Sequence, residues 1–544
     1  MKKKKNASET LGGTLEAATT RRDFLKKGTI AGAVAAGGLM TLMPGKGEAR
    51  TQPVPPKWDK EYDIIVIGSG FAGLAAAISA KEAGEDVIIL EKMPVNGGNS
   101  IINGGLLASV NSKLQAKEGV KDSVDIYVND LLKAGRGLNH VELIKMVAIE
   151  GSDLPEWTAE RGVKWNPTLQ HLGGHSVPRT FLTTNSSGSG IVKPLTDYYT
   201  GKLGGKLQKK TKVVGFVRED TDAKPNDRVL GVAVLENYAF DFKATDGDRS
   251  NTSGKKKFYK ARKGVVVASG GFSQDPFMRG VQQPALAKPT DQIDSTNQPG
   301  ATGEVMENLF KIGAVPVHLS WIQNGPWASP NEKGFGVGSS YQIAAGFRFG
   351  IMIDKKTGKR FVNELADRKT RADAMFKVIG DPKKPSYPFT IADSDEGVLA
   401  AQTLDKCLER KVVLKFDSIE AVAEHFNVPL APFKAQIKEY NEGVKAGKDE
   451  FGKPIDKFIK PIEKAPFYVM EGVPKPHHTM GGVMINSKGE VLDTETGNPI
   501  PGLYAAGEVV GGPHGASRLG SCAIPDCLVF GRICGKNVSK LKAW

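Results

Sequence analysis

Residues 62–91 read YDIIVIGSGFAGLAAAISAKEAGEDVIILE, and the fold follows from how that stretch is parsed. Tyr62–Ile67 is a short apolar run, as expected of a parallel strand buried on both faces. Gly68, Gly70 and Gly73 then set out G-x-G-x-x-G, and the alanine-rich run to Ala80 predicts a helix. Val87–Leu90 predicts a second strand, with Glu91 at its carboxyl end, 18 positions after Gly73 (91 − 73).

Each residue type in this unit has a physical task. The first glycine makes the tight strand-to-helix turn, and the second lets a pyrophosphate approach the backbone. The third packs helix against strand, while the helix N-terminus offers free N–H groups to the anion. Glu91 can accept hydrogen bonds from ribose hydroxyls and would repel a 2′-phosphate, which disfavours NADP. The alternative is a glycine-rich turn in some other α/β unit. The strand, helix, second strand and terminal acid together favour a dinucleotide site.

At 544 residues the chain exceeds one hydrophobic core, so two or more domains are expected. With 40% hydrophobic and 25% charged residues it has the composition of a soluble globular protein. Residues 1–49 hold nine of the basic and four of the acidic residues, net +5, so the remainder carries about +9 of the total +14. Those lysines are scattered, which argues against nucleic acid; a basic field of this kind steers small carboxylates or an acidic protein partner.

Thr20-Arg21-Arg22-Asp23-Phe24-Leu25-Lys26 precedes an uncharged stretch, Gly28–Met43, and Gly47-Glu48-Ala49 places small residues at a cleavage site. Residues 1–49 therefore predict a twin-arginine signal and a periplasmic mature protein, exported after folding around its cofactor. A membrane anchor is the alternative, but 16 residues (28–43) fall short of the roughly 20 needed to span a bilayer. No other segment is apolar enough for a span. The four cysteines, Cys407, Cys522, Cys527 and Cys534, form neither C-x-x-C nor C-x-x-C-H, so covalent c-type haem and a metal site are not expected. Cys522, Cys527 and Cys534 have no repeated ligand spacing and read as buried small hydrophobes rather than a cluster site.

Along the chain, residues 50–60 predict a linker, and residues 122–163 predict helix with Leu131, Leu132, Val141, Leu143, Ile144, Val147 and Trp157 in the core. Residues 166–190 predict a long loop. Val213–Val217 and Val229–Leu235 predict an antiparallel pair, Tyr238–Lys256 a polar excursion, and Lys263–Phe272 a buried strand ending in a double glycine. From Trp321 to Pro476 the composition changes, with helices expected at Asp393–Leu408 and Ala431–Ala446. The chain then returns to strands at Gly481–Ile485 and Gly502–Glu508. The expected organisation is an α/β, Rossmann-like cofactor domain split in sequence (61–320 and 477–544), with an inserted α+β capping domain (321–476).

Several motifs resemble those of the soluble fumarate reductase and flavocytochrome c flavoproteins, as a member without a haem domain. They are the Gly68–Gly73 turn, Gly97-Gly98-Asn99-Ser100, Ser269-Gly270-Gly271-Phe272 and Ser295-Thr296-Asn297-Gln298-Pro299-Gly300. Further along come Gly358–Glu364, His477-His478-Thr479-Met480-Gly481-Gly482, and Gly502–Glu508 running on to His514–Gly520. The resemblance implies non-covalent FAD, a mobile cap, and reduction of a C=C bond conjugated to a carboxylate, with electrons from a separate multihaem c-type cytochrome. It implies cofactor contacts from Gly68, Gly70, Phe71, Ala72, Gly73, Glu91, Lys92, Gly98, Asn99, Ser100, Gly104, Gly105, Gly270, His478, Glu508, Ala523 and Ile524. It makes Arg368 the proton donor, and Arg518 and His477 the clamp on the substrate carboxylate, with Gly105 and Trp327 beside the substrate.

The chemistry needs such groups. A C=C bond accepts hydride only if charge developing alpha to the carboxylate is stabilised; an Arg fork binds a carboxylate bidentately, and a cationic acid near Cα completes the addition. Each residue also has a plainer reading. Arg368 lies in a run of Lys359, Arg360, Lys369 and Arg371 that suits a solvated face, the His477-His478 pair suits a structural role, and Arg518 suits a backbone partner.

The chain departs from the fumarate-specific pattern at Ile322-Gln323-Asn324-Gly325-Pro326-Trp327, where Gly325 stands in place of a histidine for a second carboxylate, and at Tyr341–Gly346, where a Thr-Glu pair and an Arg are missing. Trp327 suits a methyl, vinyl or aryl group, so the expectation is a monocarboxylate 2-enoate such as acrylate or methacrylate. Glu364, Asp367 or Arg371 are candidates to replace the missing proton relay. The alternatives are a fumarate reductase proper, a flavin dehydrogenase or oxidase running in the opposite direction, and a non-catalytic flavin-binding protein.

Overall fold

The computed structural model describes residues 50–288 and 293–544; the predicted signal at residues 1–49 lies outside them. Sheet register explains the opening motif. Ile67, the last residue of the strand Lys60–Ile67, stands opposite Leu90 of Val87–Leu90 and opposite Val267 of Lys255–Val267. Val267 in turn stands opposite Ala505 of Pro499–Ala505. All these pairings are parallel, so four carboxyl ends finish side by side on one edge of an eight-stranded sheet. In a doubly wound sheet that edge is where ligands bind.

The alanine-rich helix Phe71–Glu82 is buried from Phe71 to Ala80. Its third motif glycine admits no side chain: a Cβ on Gly73 would stand 1.9 Å from the Gly68 carbonyl oxygen. On its other side lies the C-terminal helix Ala523–Ser539, where a Cβ on Gly531 would stand 2.5 Å from Ala72 O and one on Gly535 2.3 Å from Ala76 O. Residues four apart share a helix face, so the chain's last helix clamps its first helix onto the sheet. A helix covered on both sides has no use for a polar face.

The remaining expectations hold with shifts. Thr211–Arg218 and Val229–Glu236 pair antiparallel. The next strand starts at Lys255 rather than Lys263, because Lys255–Lys260 pair with Gly231–Glu236 on an exposed extension where lysines interrupt any apolar run. Residues 122–163 form three helices, Val124–Ala134, Val141–Glu150 and Leu154–Ala159. Val141, expected in the core, is 40% exposed because it opens its helix on the outer side. The loop at 166–190 contains a strand, Thr180–Leu182, paired with Leu106–Ala108. The helix expected over Asp393–Leu408 is two short ones, Glu396–Leu399 and Leu404–Glu409.

Residues 351–471 build a second, antiparallel sheet in the order Lys359–Arg360, Ile351–Asp354, Phe389–Ala392, Phe467–Glu471, Leu414–Phe416. Side chains alternate across it. Ile351, Ile353, Phe389 and Ile391 meet Phe433, Ile437 and Tyr440 of the helix Leu430–Lys445, whereas Met352 packs on the other side with Met375 and Trp327. The chain enters and leaves this block through one two-stranded ribbon, Ile322–Ala328 against Val473–Thr479. No helix among the described residues is long and apolar enough to cross a membrane.

Candidate active site

Two adjoining regions lie at the carboxyl edge of the parallel sheet. The first is a cleft with about 920 Å³ of empty space, lined by Gly68, Gly70, Phe71, Ala72, Glu91, Lys92, Gly98, Asn99, Ser100, Gly270 and Glu508. Glu91 is held in place by its neighbours: Ser69 N donates to Oε2 at 3.2 Å, the Ser69 hydroxyl donates to the same oxygen, and Met93 N donates to Oε1 at 2.9 Å. A carboxylate oxygen has lone pairs to spare for a further donor. Lys92 is engaged instead, 2.6 Å from Thr302 Oγ1 and 2.7 Å from Glu304 Oε1. Burial pushes the Glu304 carboxyl up, but Lys92 and Lys212 hold it at about 2.

Not every expected residue faces this cleft. Gly73, Gly104, Gly105, His478, Ala523 and Ile524 stand outside its lining, Gly73 because it packs its helix against the Gly68 carbonyl. Gly105 is tucked against Thr183 and Ser187. Ala523 and Ile524 open the C-terminal helix. His478 Nδ1 lies 3.6 Å from Glu508 Oε2, and its ring packs edge-on against His514. Cys527, read as a buried hydrophobe, is half-buried and lines the cleft.

The second region gathers Arg368, His477 and Arg518. Arg368 opens the helix Arg368–Ile379, which starts there because Asp367 caps the Lys369 and Thr370 amides at 3.0 and 3.1 Å. The helical period then sorts the basic run. Lys369 pairs with Asp373 on the surface, while Arg371 packs on Phe347 and donates to Glu364 O at 3.1 Å. Arg368 turns inward, with Nη1 donating to Gln323 Oε1 at 3.0 Å and its guanidinium 4.8 Å from the Trp327 ring centre.

His477 owes its direction to a β-bulge. Ribbon pairing steps from Gln323–His478 to Asn324–Pro476, leaving His477 as the extra residue, and a bulge of this kind re-aims a side chain. Its Nδ1 lies 2.7 Å from Thr296 Oγ1, and its Nε2 lies 3.3 Å from Arg518 Nη2. Arginine can only donate, so Nε2 accepts and the ring proton sits on Nδ1, donated to Thr296; this tautomer is assigned from the network. Burial, with Arg368 and Arg518 adding to it, holds the imidazole well below its ordinary pKa, so His477 is neutral. Gln323 ties the set together: its Nε2 donates to Ser517 Oγ and to Arg518 O, both at 3.1 Å, while its oxygen holds Arg368.

Among the described residues, neither Arg368 nor Arg518 has a carboxylate within ion-pair distance, and Arg518 Nε is buried without a partner. Burial, then Arg518 and Arg371, depress the Arg368 guanidinium well below its usual pKa. Arg518 is depressed as well, by burial. Two crowded, unpaired guanidinium groups are costly, and an incoming anion would offset that cost.

A family model described as an FAD binding domain matches residues 63–524. The chain belongs to that family. It is 48% identical to the acrylate reductase flavoprotein subunit of Shewanella woodyi over 94% of this chain and 96% of that one. It is 31% identical to the urocanate reductase of Eggerthella lenta, over 94% and 80%. Among solved structures it superposes on the open conformation of a flavocytochrome c3 fumarate reductase with a TM-score of 0.71 at 29% identity, over 94% of this chain and 81% of that one. The chain is thus an FAD-dependent oxidoreductase of the flavocytochrome-type fumarate reductase kind.

FAD fits the cleft. At Gly270, φ +79°, nothing lies within 4 Å of where a Cβ would be, leaving bare backbone facing the space. Ser100 Oγ accepts from Phe71 N at 3.0 Å, joining the second glycine loop to the start of the first helix. Glu508 accepts from Thr479 N at 2.9 Å, and burial keeps its carboxyl above the ordinary range, suiting it to hydroxyl donors. Sequence reasoning assigned no role to Thr296 or Gln323, although both lie in motifs it had singled out. Their roles depend on two strands meeting, which spacing along the chain does not show.

Proposed function

We propose that this flavoprotein reduces the C=C bond of 2-enoates bearing one carboxylate, of the acrylate type, after twin-arginine export to the periplasm, with electrons from a separate c-type cytochrome. The observation that carries the reading is the pair of guanidinium groups without carboxylate partners among the described residues, set 3.3 Å and one aromatic ring away from His477. Such a site is built to receive an anion. The acrylate and urocanate reductases among the relatives act, by their names, on acids with one carboxylate next to a C=C bond. Flavocytochrome relatives support a cytochrome donor, and Arg21-Arg22 ahead of Gly28–Met43 supports export.

In this reading, 61–320 and 477–544 bind FAD and 321–476 caps it. FAD, held non-covalently by the cleft around Gly70, Glu91 and Glu508, would supply the hydride that Cβ accepts. Arg518 binds the carboxylate, and the anion takes the place of His477 Nε2 as the acceptor for its Nη2. The carboxylate also favours a second proton on His477, which then donates to it through Nε2. Arg368 gives a proton to Cα as the negative charge builds there. Burial and then Arg518 hold its guanidinium below the ordinary pKa, which makes this release easier than from a solvated guanidinium, and Gln323 Oε1 fixes the direction of Nη1.

The test is oxidation of reduced viologen by the purified holoprotein with acrylate, methacrylate, urocanate and fumarate. The expected result is faster turnover of the monocarboxylates. Fumarate turned over far faster than every monocarboxylate would overturn the substrate assignment. Export is tested by fractionating cells that carry Arg21→Lys/Arg22→Lys, where holoprotein is expected to stay in the cytoplasm.

A further inference from the structure

We infer that Gly325 and Trp327 act as one device that excludes a second carboxylate from the substrate; the inference rests on the enoate reading above. A Cβ on Gly325 would stand 2.9 Å from Cε2 and from Cζ2 of Trp327 and 3.2 Å from Nε1. The indole therefore lies folded across its own strand, in the space that a side chain at 325 would take. Only glycine permits this posture. The same ring meets Arg368 at 4.8 Å from its centre and the His477 ring at 5.1 Å, nearly perpendicular (84°), and is 3% exposed. It forms the wall between the two groups, backed by Phe335 at 6.4 Å.

The wall determines what the far end of a substrate meets. With its carboxylate on Arg518 and its Cα at Arg368, an enoate turns its β substituent toward this aromatic surface. A hydrogen, methyl or flat aryl group packs there. A carboxylate would lose its water against a ring that offers one indole N–H, which has no partner among the described residues. Its remaining neighbours would be Arg368, whose proton is needed at Cα, and His477, whose Nε2 is taken up by the first carboxylate.

Two variants test the pairing. Trp327→Ala removes the wall, and Gly325→Ala leaves the tryptophan in the chain but forces its ring away, because 2.9 Å is too close for a Cβ. The readouts are the ratio of kcat/KM for acrylate over fumarate, and the dissociation constants of unreactive propionate and succinate from the flavin difference spectrum of the oxidised holoprotein. We expect the acrylate preference to fall on the order of 10²-fold in Trp327→Ala and roughly 10-fold in Gly325→Ala, with succinate tightening relative to propionate in both. If Trp327→Ala fails to retain FAD, Gly325→Ala decides. An unchanged ratio and unchanged relative affinities in a variant that holds FAD overturn the device while leaving the enoate reading intact. A wild-type preference for fumarate would instead remove the reading on which it rests.

Discussion

Two clusters of charge in this molecule are built on opposite terms. In the antiparallel block, Arg360, Glu364, Asp449 and Lys453 have side chains 1%, 0%, 2% and 0% exposed, and each cation has a carboxylate. Arg360 makes a fork to Glu364 at 3.1 and 2.8 Å and reaches Asp449 at 2.6 Å; Met352 N and Gly350 O take up the remaining capacity. Burial works against the Arg360 charge, yet Glu364 and Asp449 hold it above its ordinary pKa. Arg368, a few residues along, is depressed instead, by burial, Arg518 and Arg371, with a glutamine oxygen and an indole face as its company. The first cluster is complete within the protein. The second has no carboxylate partner among the described residues, and in the proposed function the substrate supplies the negative charge.

The largest effect should come from taking away the incomplete cluster's acid. Arg368→Ala is expected to lower kcat on the order of 10³- to 10⁴-fold while FAD content stays at the wild-type level, as read from the flavin spectrum and single-turnover reoxidation by acrylate. Rates within a few-fold of wild type would mean that Arg368 is not the proton donor.

Stability should separate the two clusters in the reverse sense. Glu364→Ala leaves Lys453 buried without its carboxylate and Arg360 with Asp449 alone, and is expected to cost about 3–5 kcal/mol, seen as a lower denaturation midpoint. Arg368→Leu removes a cation that has no carboxylate partner among the described residues and should leave the midpoint unchanged or raise it. Equal losses in both variants would erase the distinction between the clusters.

How much of this contrast the sequence shows depends on the range of the interaction. The Gly68–Gly73 turn, the strand at Val87–Leu90 and the acid at 91 are legible because turn chemistry and strand period act over a few residues. The cap by Asp367 that starts Arg368's helix acts over the same short range, but the sequence reading takes Asp367 only as a relay candidate. Trp327 and the change at Gly325 could be read against the family pattern, but not the folding of the indole over the glycine, which needs backbone geometry. The bulge that singles out His477 from His478 is invisible, since it is a property of register between strands some 150 residues apart (477 − 323 = 154). Val141 misled because an apolar residue at a helix start has no periodic neighbour on its N-terminal side to show which way it faces.

The neutral imidazole gives the next prediction. His477 sits well below its ordinary pKa in the free protein, by burial first and then by Arg368 and Arg518, and a bound carboxylate raises it. Binding an unreactive monocarboxylate such as propionate should therefore take up a proton. Between the free and bound pKa values, affinity should fall about tenfold for each unit of rising pH. Below the free value His477 is already charged and the dependence vanishes. His477→Gln should abolish the slope, and a slope that persists in that variant would assign the proton to another group.

Thr296 offers the smallest and most specific break. Its hydroxyl accepts the Nδ1 proton of His477 at 2.7 Å and can pass its own to Pro476 O at 3.3 Å, so it fixes the tautomer through the ring nitrogen that does not meet Arg518. Thr296→Val keeps the shape and deletes the acceptor. A neutral hydrogen bond of this kind contributes about 0.5–1.5 kcal/mol, so KM for acrylate should rise roughly 2- to 10-fold, with kcat less affected. Nδ1–H then has no acceptor in either the neutral or the charged ring. The proton on Nε2 becomes harder to add, and the pH range over which affinity falls should move to lower pH. Thr296→Ser restores the acceptor and should restore both the KM and the position of the slope. If valine and serine behave alike, Thr296 is only filling space, and the tautomer of His477 is set by Arg518 alone.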